Sequence, residues 1–165
     1  MNSVTPAQQL FRLRRNAIYG GEGHVSHDVL TWRYLRRPSI FSRKYLLRIN
    51  FKRGDIPQIF VDDPDLKLLA DGRTLPHVYN QRPLELCLYL PGTGEWTPKS
   101  FIDETIMPWA DLWLYYYEEW LFSDDWKGGG MHADPNAPAS RRERRWAARG
   151  SGRRPMDWRS NIDIR

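Results

Sequence analysis

The stretch LPHVYNQRPLELCLYLPGTGEWTP, residues 75 to 98, holds the chain's single cysteine, Cys87, ten residues after His77 and nine before Trp96. Leu86 and Leu88 flank the thiol, and on chemistry alone a small thiol in an apolar run is more often an inert core residue. A nucleophilic role asks for thiolate at neutral pH and a donor for the oxyanion of a tetrahedral intermediate. His77 is the candidate donor, with Asn80 and Gln81 as further candidates, although a lone histidine is also a common structural hydrogen-bonding residue. Pro76 disfavours a central strand where the segment opens.

Upstream of this segment, residues 5 to 17 have helical spacing, with Leu10, Leu13 and Ile18 near one face and Thr5-Pro6 as cap and first turn. Residues 20 to 27, GGEGHVSH, read as a loop through their glycines. His24 and His27 lie three apart, yet no further ligand has metal spacing and no metal site is expected. Three strands follow from strict alternation. Residues 28 to 36 place Leu30, Trp32 and Tyr34 on one side; 43 to 51 place Tyr45, Leu47, Ile49 and Phe51; 57 to 63 add Ile59 and Val61. Strands this close in sequence predict an antiparallel meander, turned at Lys52-Arg53-Gly54-Asp55. Residues 64 to 72 show no period.

Downstream, residues 100 to 122 repeat Phe101, Thr105, Trp109, Leu112, Trp113, Tyr116 and Trp120 at three and four, the stripe of an amphipathic helix. Pro108 would kink it or begin its second part. The helix is read as the main core element, with Asp111, Glu118 and Glu119 on its wet side, although periodicity does not separate core aromatics from a docking face.

With 165 residues and 41% hydrophobic content, the chain can bury one core and not two. The expected organisation is a folded unit over 1–127 and a basic tail over 128–165. Residues 131 to 165 carry nine Arg against four acidic residues, while 1 to 130 balance sixteen against sixteen. That tail follows Gly128-Gly129-Gly130 and has few bulky apolar residues, so it reads as largely unordered with a short helical stretch over 140 to 149. Its arginines and tryptophans allow a nucleic-acid contact, against the plainer reading of a solvated extension. No apolar run has membrane length and the N-terminus lacks a secretory h-region, so a soluble, cytoplasmic protein is expected.

At residues 75 to 98 the chain resembles the active-site segment of ubiquitin-conjugating enzymes, in which His-Pro-Asn precedes Val/Ile-Tyr, Cys-Leu follows about ten residues later, and Trp-x-Pro comes after. Pro76 falls on the family proline, His77 on its asparagine, Val78 and Tyr79 on the strand end, Cys87 on the thioester-forming cysteine, and Trp96 and Pro98 on the Trp and Pro. Leu75 stands where the family has histidine. The histidine in place of asparagine, with EW, PW, EEWL and W-x-GGG downstream, looks like the bacterial branch, including stand-alone members of CBASS anti-phage operons. The resemblance implies an α+β fold of N-terminal helix, antiparallel meander, active-site segment and long aromatic-rich C-terminal helix, covering residues 5 to about 126.

It also implies an activity: Cys87 forms a thioester with a partner's C-terminus, His77 stabilises the oxyanion, and no cofactor is used. The implied cargo is the C-terminus of a cGAS-like nucleotidyltransferase, and a separate activating enzyme is a further implied partner. GTGEW at 92 to 96 lacks the Lys-Ser/Thr of a phosphate loop, so the chain is not expected to adenylate a C-terminus itself. Its last residues, Ile164-Arg165, are not a modifier's Gly-Gly, which makes it carrier and not cargo. A catalytically silent, partner-binding member of the same fold is the competing expectation.

Overall fold

The computed structural model describes residues 3–129. The expected basic tail lies outside them, apart from Gly128 and Gly129. Helix α1 spans Pro6–Arg15, and its start is a capping box: the Thr5 hydroxyl accepts the Gln8 amide at 3.2 Å while the Gln8 side chain accepts the Thr5 amide at 2.8 Å. Leu13 is buried as read from the spacing, but Ile18 is 70% exposed. The helix has ended by then. The Asn16 side chain accepts the amides of Ile18 and Tyr19, turning the chain so that Tyr19 takes the buried place.

Four strands form one sheet in the order β1 (Gly21–Ser26), β2 (Val29–Arg36), β3 (Tyr45–Lys52) and β4 (Gln58–Asp63), all antiparallel neighbours. The alternation read from sequence sets the inner face: Leu30, Trp32, Tyr34, Tyr45, Leu47, Ile49, Phe51 and Ile59 are all buried. Leu30, Leu47, Ile49, Phe51 and Ile59 each contribute about 1.5–3 kcal/mol of apolar burial. The β3–β4 turn closes where the Asp55 amide donates to the Lys52 carbonyl at 3.0 Å, with Gly54 at φ +80°.

Residues 20 to 27 are not a loop. They supply β1, paired with β2 from Gly21 against Tyr34 to Ser26 against Val29. The hairpin turns at His27 and Asp28, both at positive φ, the two-residue turn that matches strand twist. Its glycines serve close approach: a Cβ on Gly23 would sit 2.1 Å from the Thr31 carbonyl oxygen, and one on Gly21 2.2 Å from that of Arg33.

After β4, a single turn of helix, α2 (Leu66–Leu69), is capped by Asp65, whose carboxylate accepts the amides of Lys67 and Leu68. One turn is too short to display a period. Two further strands, β5 (Val78–Gln81) and β6 (Leu84–Leu86), pair only with each other.

The long helix, α3, spans Ile106–Ser123 and begins later than its sequence pattern. Residues 101 to 105 make turns instead, and the buried side chain of Gln9 fixes them: it donates to the Ser100 carbonyl at 2.9 Å and accepts the Ile102 amide at 3.1 Å. Pro108 therefore falls in the first turn, where a missing amide costs nothing, and produces no kink. The buried face is Ile106, Met107, Ala110, Trp113, Leu114, Tyr117 and Trp120, so Leu112, expected inward, is instead 51% exposed.

Asp111 and Glu118 do not sit on a wet face. They pin α3 to the paired ends of the central strands β2 and β3. Asp111 takes both arms of the Arg36 guanidinium, which also lies over the Tyr19 ring at 4.7 Å. Glu118 accepts the Tyr45 hydroxyl at 2.8 Å and the Arg43 amide at 2.9 Å. Among the described residues no helix is long and apolar enough to cross a membrane.

The hairpin glycines generate a prediction. Gly23→Ala should cost about 1–3 kcal/mol by overpacking against backbone that has no room to yield, while Gly20→Ala, with nothing within 4 Å of its added Cβ, should stay within about 0.5 kcal/mol. Urea unfolding of the two variants beside the parent measures the difference.

Candidate active site

The β5–β6 hairpin brings His77 and Cys87 to neighbouring positions. Val78 pairs with Leu86 and Gln81 with Leu84, a bulge at Tyr79 shifts the register between them, and the ladder extends one step further when the Cys87 amide donates to the His77 carbonyl at 3.0 Å. The same carbonyl accepts the indole N–H of Trp113 at 2.8 Å, which ties this short hairpin to α3. His77 has φ +49°, a left-handed conformation that histidine and asparagine adopt more readily than most residues.

The imidazole of His77 stacks on the indole of Trp126, with ring centroids 4.8 Å apart and planes 24° from parallel. Trp126 in turn touches Trp113 at 5.5 Å and Tyr116 at 6.2 Å. Of the other candidate donors, Gln81 spends an amide hydrogen on the Leu75 carbonyl at 2.8 Å, closing the segment on itself.

The Cys87 thiol is half-buried and donates to the Tyr89 carbonyl at 3.8 Å. The Tyr79 hydroxyl donates to that same oxygen, so phenol and thiol share one acceptor. Beyond Tyr89 the chain bends through Gly92 and Gly94, both at positive φ, and Glu95 caps the bend by accepting the Leu90 amide at 3.0 Å and the Thr93 hydroxyl at 3.1 Å. Trp96 then plugs into the core edge-on to Phe51. Pro98 is tied to the N-terminus, its carbonyl accepting the Val4 amide at 2.8 Å.

A family model described as type II CBASS E2 protein matches residues 9–133, a span that contains the hairpin, α3 and Trp126. The chain belongs to the type II CBASS E2 family. A search of curated proteins finds no match. Membership carries an E2-like role in CBASS defence.

Two features around this hairpin of the CBASS E2 protein escape a reading from sequence. The Trp113 indole sits on the helix stripe, where it reads as packing, yet its N–H is spent on the His77 carbonyl. Trp126 lies beyond α3; the W-x-GGG pattern marks it, without saying what it touches. Among the described residues no group of three or more His, Cys, Asp or Glu is placed to hold a metal ion; His27 shares a hydrogen bond with Ser26 at the β1–β2 turn.

Burial pushes the Cys87 thiol up to about 11, and the carboxylates of Glu85 and Glu95 push in the same direction, while a hydrogen bond from Tyr79 pulls it back. A cysteine in water ionises near 8.5. The sign of the consequence is direct: across the interval up to about 11 the folded site keeps its proton where an open cysteine has lost it. Because Cys87 is the only cysteine, alkylation reports it without mutagenesis. The rate with iodoacetamide should keep climbing with pH well past the point where free cysteine levels off; a plateau near 8.5 would contradict the buried, carboxylate-flanked environment.

Proposed function

We propose that Cys87 carries the C-terminal acyl group of a partner protein as a thioester, and that the partner is a cGAS-like nucleotidyltransferase of the CBASS system. The observation that supports this most is the hydrogen bond of 3.0 Å between the Cys87 amide and the His77 carbonyl, which makes the residue bearing the one thiol a cross-strand backbone neighbour of the one histidine of this segment. The thiolate attacks the carbonyl carbon of an activated C-terminus, either a thioester on an activating enzyme or another activated acyl group. The π pair moves to oxygen, the tetrahedral intermediate collapses, and the former leaving group departs with its electron pair. An amine or water later attacks the Cys87 thioester in the same way and releases the thiol.

His77 donates a ring N–H to the oxyanion in each half-reaction, and backbone amides near the cysteine support it. Imidazole differs from the amide of asparagine in that it also titrates near neutrality, which allows it to take a proton from the incoming amine or water. A second reading draws on the thiol itself: its strong hold on the proton suits a fold member that binds a partner and performs no transfer.

One gel separates the readings. Mixing the protein with its nucleotidyltransferase and the activating components should give an adduct that disappears with hydroxylamine or thiol and never forms with Cys87→Ala. Partner binding with no such band supports the adaptor instead. His77→Ala should slow adduct formation by about 10²-fold or more and leave alkylation of Cys87 unchanged. If His77 also acts as base, discharge of the preformed thioester to water should vary with pH between about 5 and 8, and His77→Asn should flatten that profile. A flat profile in the parent protein limits His77 to donation.

A further inference from the structure

We propose that Trp126 is a positioning residue for His77: its indole fixes the plane of the imidazole, so that the ring N–H meets the developing oxyanion. This rests on the reading of His77 as oxyanion donor. The end of α3 is shaped to bring the indole there. Asp124 terminates the helix in a left-handed conformation at φ +58°, and its carboxylate accepts Arg73 at 2.6 Å. The Ser123 hydroxyl accepts the Asp125 amide at 3.2 Å and bonds the Asp125 carbonyl at 3.0 Å, bending the chain back over its own last turns. Trp126 follows at once.

Past the indole the chain is tight again. A Cβ on Gly128 would lie 2.8 Å from Trp126 Nε1 and 2.8 Å from Tyr116 Cδ2, so the backbone crosses directly over both rings where only glycine fits. Trp126 is thus held by Trp113 and Tyr116 beneath it and by Gly128 across it, and the ring it presents to His77 has little freedom.

Two clamps converge on one residue. Trp113 and the Cys87 amide hold the His77 carbonyl, which fixes the backbone. Both bonds end on the backbone carbonyl and not on the imidazole, and a donor that wanders loses most of its effect, because stabilisation of an oxyanion depends on placement to a fraction of an ångström. The stack with Trp126 acts on the ring face itself. The family's asparagine would need no such cover, having no ring face to stack; the histidine here has one, and an indole lies on it.

The full chain tests this without any cargo, using p-nitrophenyl acetate and iodoacetamide as probes of the single thiol. Acetylation passes through a tetrahedral oxyanion: the Cys87 thiolate bonds the acyl carbon and p-nitrophenolate leaves. Alkylation displaces iodide and has no oxyanion, so the ratio of the two rates isolates the donor. Trp126→Leu should lower that ratio about tenfold, the size of effect an aromatic pair can exert, and Trp126→Phe should restore most of it. In a His77→Ala background, Trp126→Leu should change nothing further.

An equal loss with and without His77 would reduce Trp126 to packing and overturn the proposal, as would an unchanged ratio in Trp126→Leu. A His77→Ala variant with the parent's ratio would remove the donor reading itself, and this shows in the single variant before Trp126 is touched. Should Trp126→Leu fail to fold, Gly128→Ala, which crowds the indole, is expected to lower the ratio in the same His77-dependent manner; a normal ratio there counts against the proposal.

Discussion

The carbonyl oxygen of His77 is the point on which the site depends. It accepts two donors, the Cys87 amide from β6's extension and the Trp113 indole from α3. The net worth of either bond is modest, about 1 kcal/mol. Their importance is geometric. An isolated pair of short strands is at best marginally stable in water, and among the described residues β5 and β6 share a backbone ladder only with each other, with the Gln58 side chain of β4 donating to Glu85 of β6 at 3.2 Å. The Trp113 bond transfers to this hairpin the rigidity of a helix that is itself anchored at Asp111 by Arg36, at Glu118 by Tyr45, and at Tyr117, whose hydroxyl donates to the Leu66 carbonyl at 2.6 Å. Support therefore runs from the sheet to α3, from α3 to His77, and from His77 to Cys87.

This support has an electrostatic consequence. Packing the hairpin between α3 and the 90 to 96 bend partly removes the thiol from water, and burial is the largest cause of its raised ionisation. At neutral pH a group ionising near 11 is thiolate to about one part in 10⁴, which corresponds to about 5 kcal/mol for forming the nucleophile. Glu95 is exposed and is the smaller contributor, so a cation approaching it relieves only part of that cost. A stronger lever is a hydrogen-bond donor to the sulfur. Tyr79 already acts in that direction, and its hydroxyl shares an acceptor with the thiol. Once the thiol loses its proton, the Tyr89 carbonyl is no longer a partner for sulfur, while the Tyr79 hydroxyl becomes a better one.

The sheet was legible in the sequence because one buried face imposes a period of two, and Leu30 to Tyr34 and Tyr45 to Phe51 keep it without a break. Strand β1 was not, since its glycines, usual marks of a loop, answer a steric demand from the carbonyls of Thr31 and Arg33 that only the paired backbone reveals. On α3 the aromatic residues lie all round the helix, so several stripes fit at once; Leu114 and Tyr117 face the core where Leu112 was expected. Asp111 and Glu118 looked like solvent-facing charges because their partners, Arg36, Arg43 and Tyr45, come from distant strands. Of the site, the spacing of His77 and Cys87 was readable along the chain, as two ends of one hairpin must be. The contacts of Trp113 and Trp126 were not, since they join segments remote in sequence.

The histidine at position 77 makes demands on its surroundings that an asparagine there would not. Asparagine and histidine both tolerate the left-handed conformation found at φ +49°, so either can offer its carbonyl to the Cys87 amide and the Trp113 indole. The side chains differ in shape. An amide is small and needs only polar neighbours; an imidazole is a flat ring with two faces whose exposure or burial has to be resolved by the fold. Here one face is resolved by Trp126, supplied by a chain reversal at Asp124 and kept close by a glycine at 128 that lets the backbone pass over it. The histidine at position 77 and the aromatic cover after α3 are thus joined in this chain by one stack, with Gly128 closing over the indole.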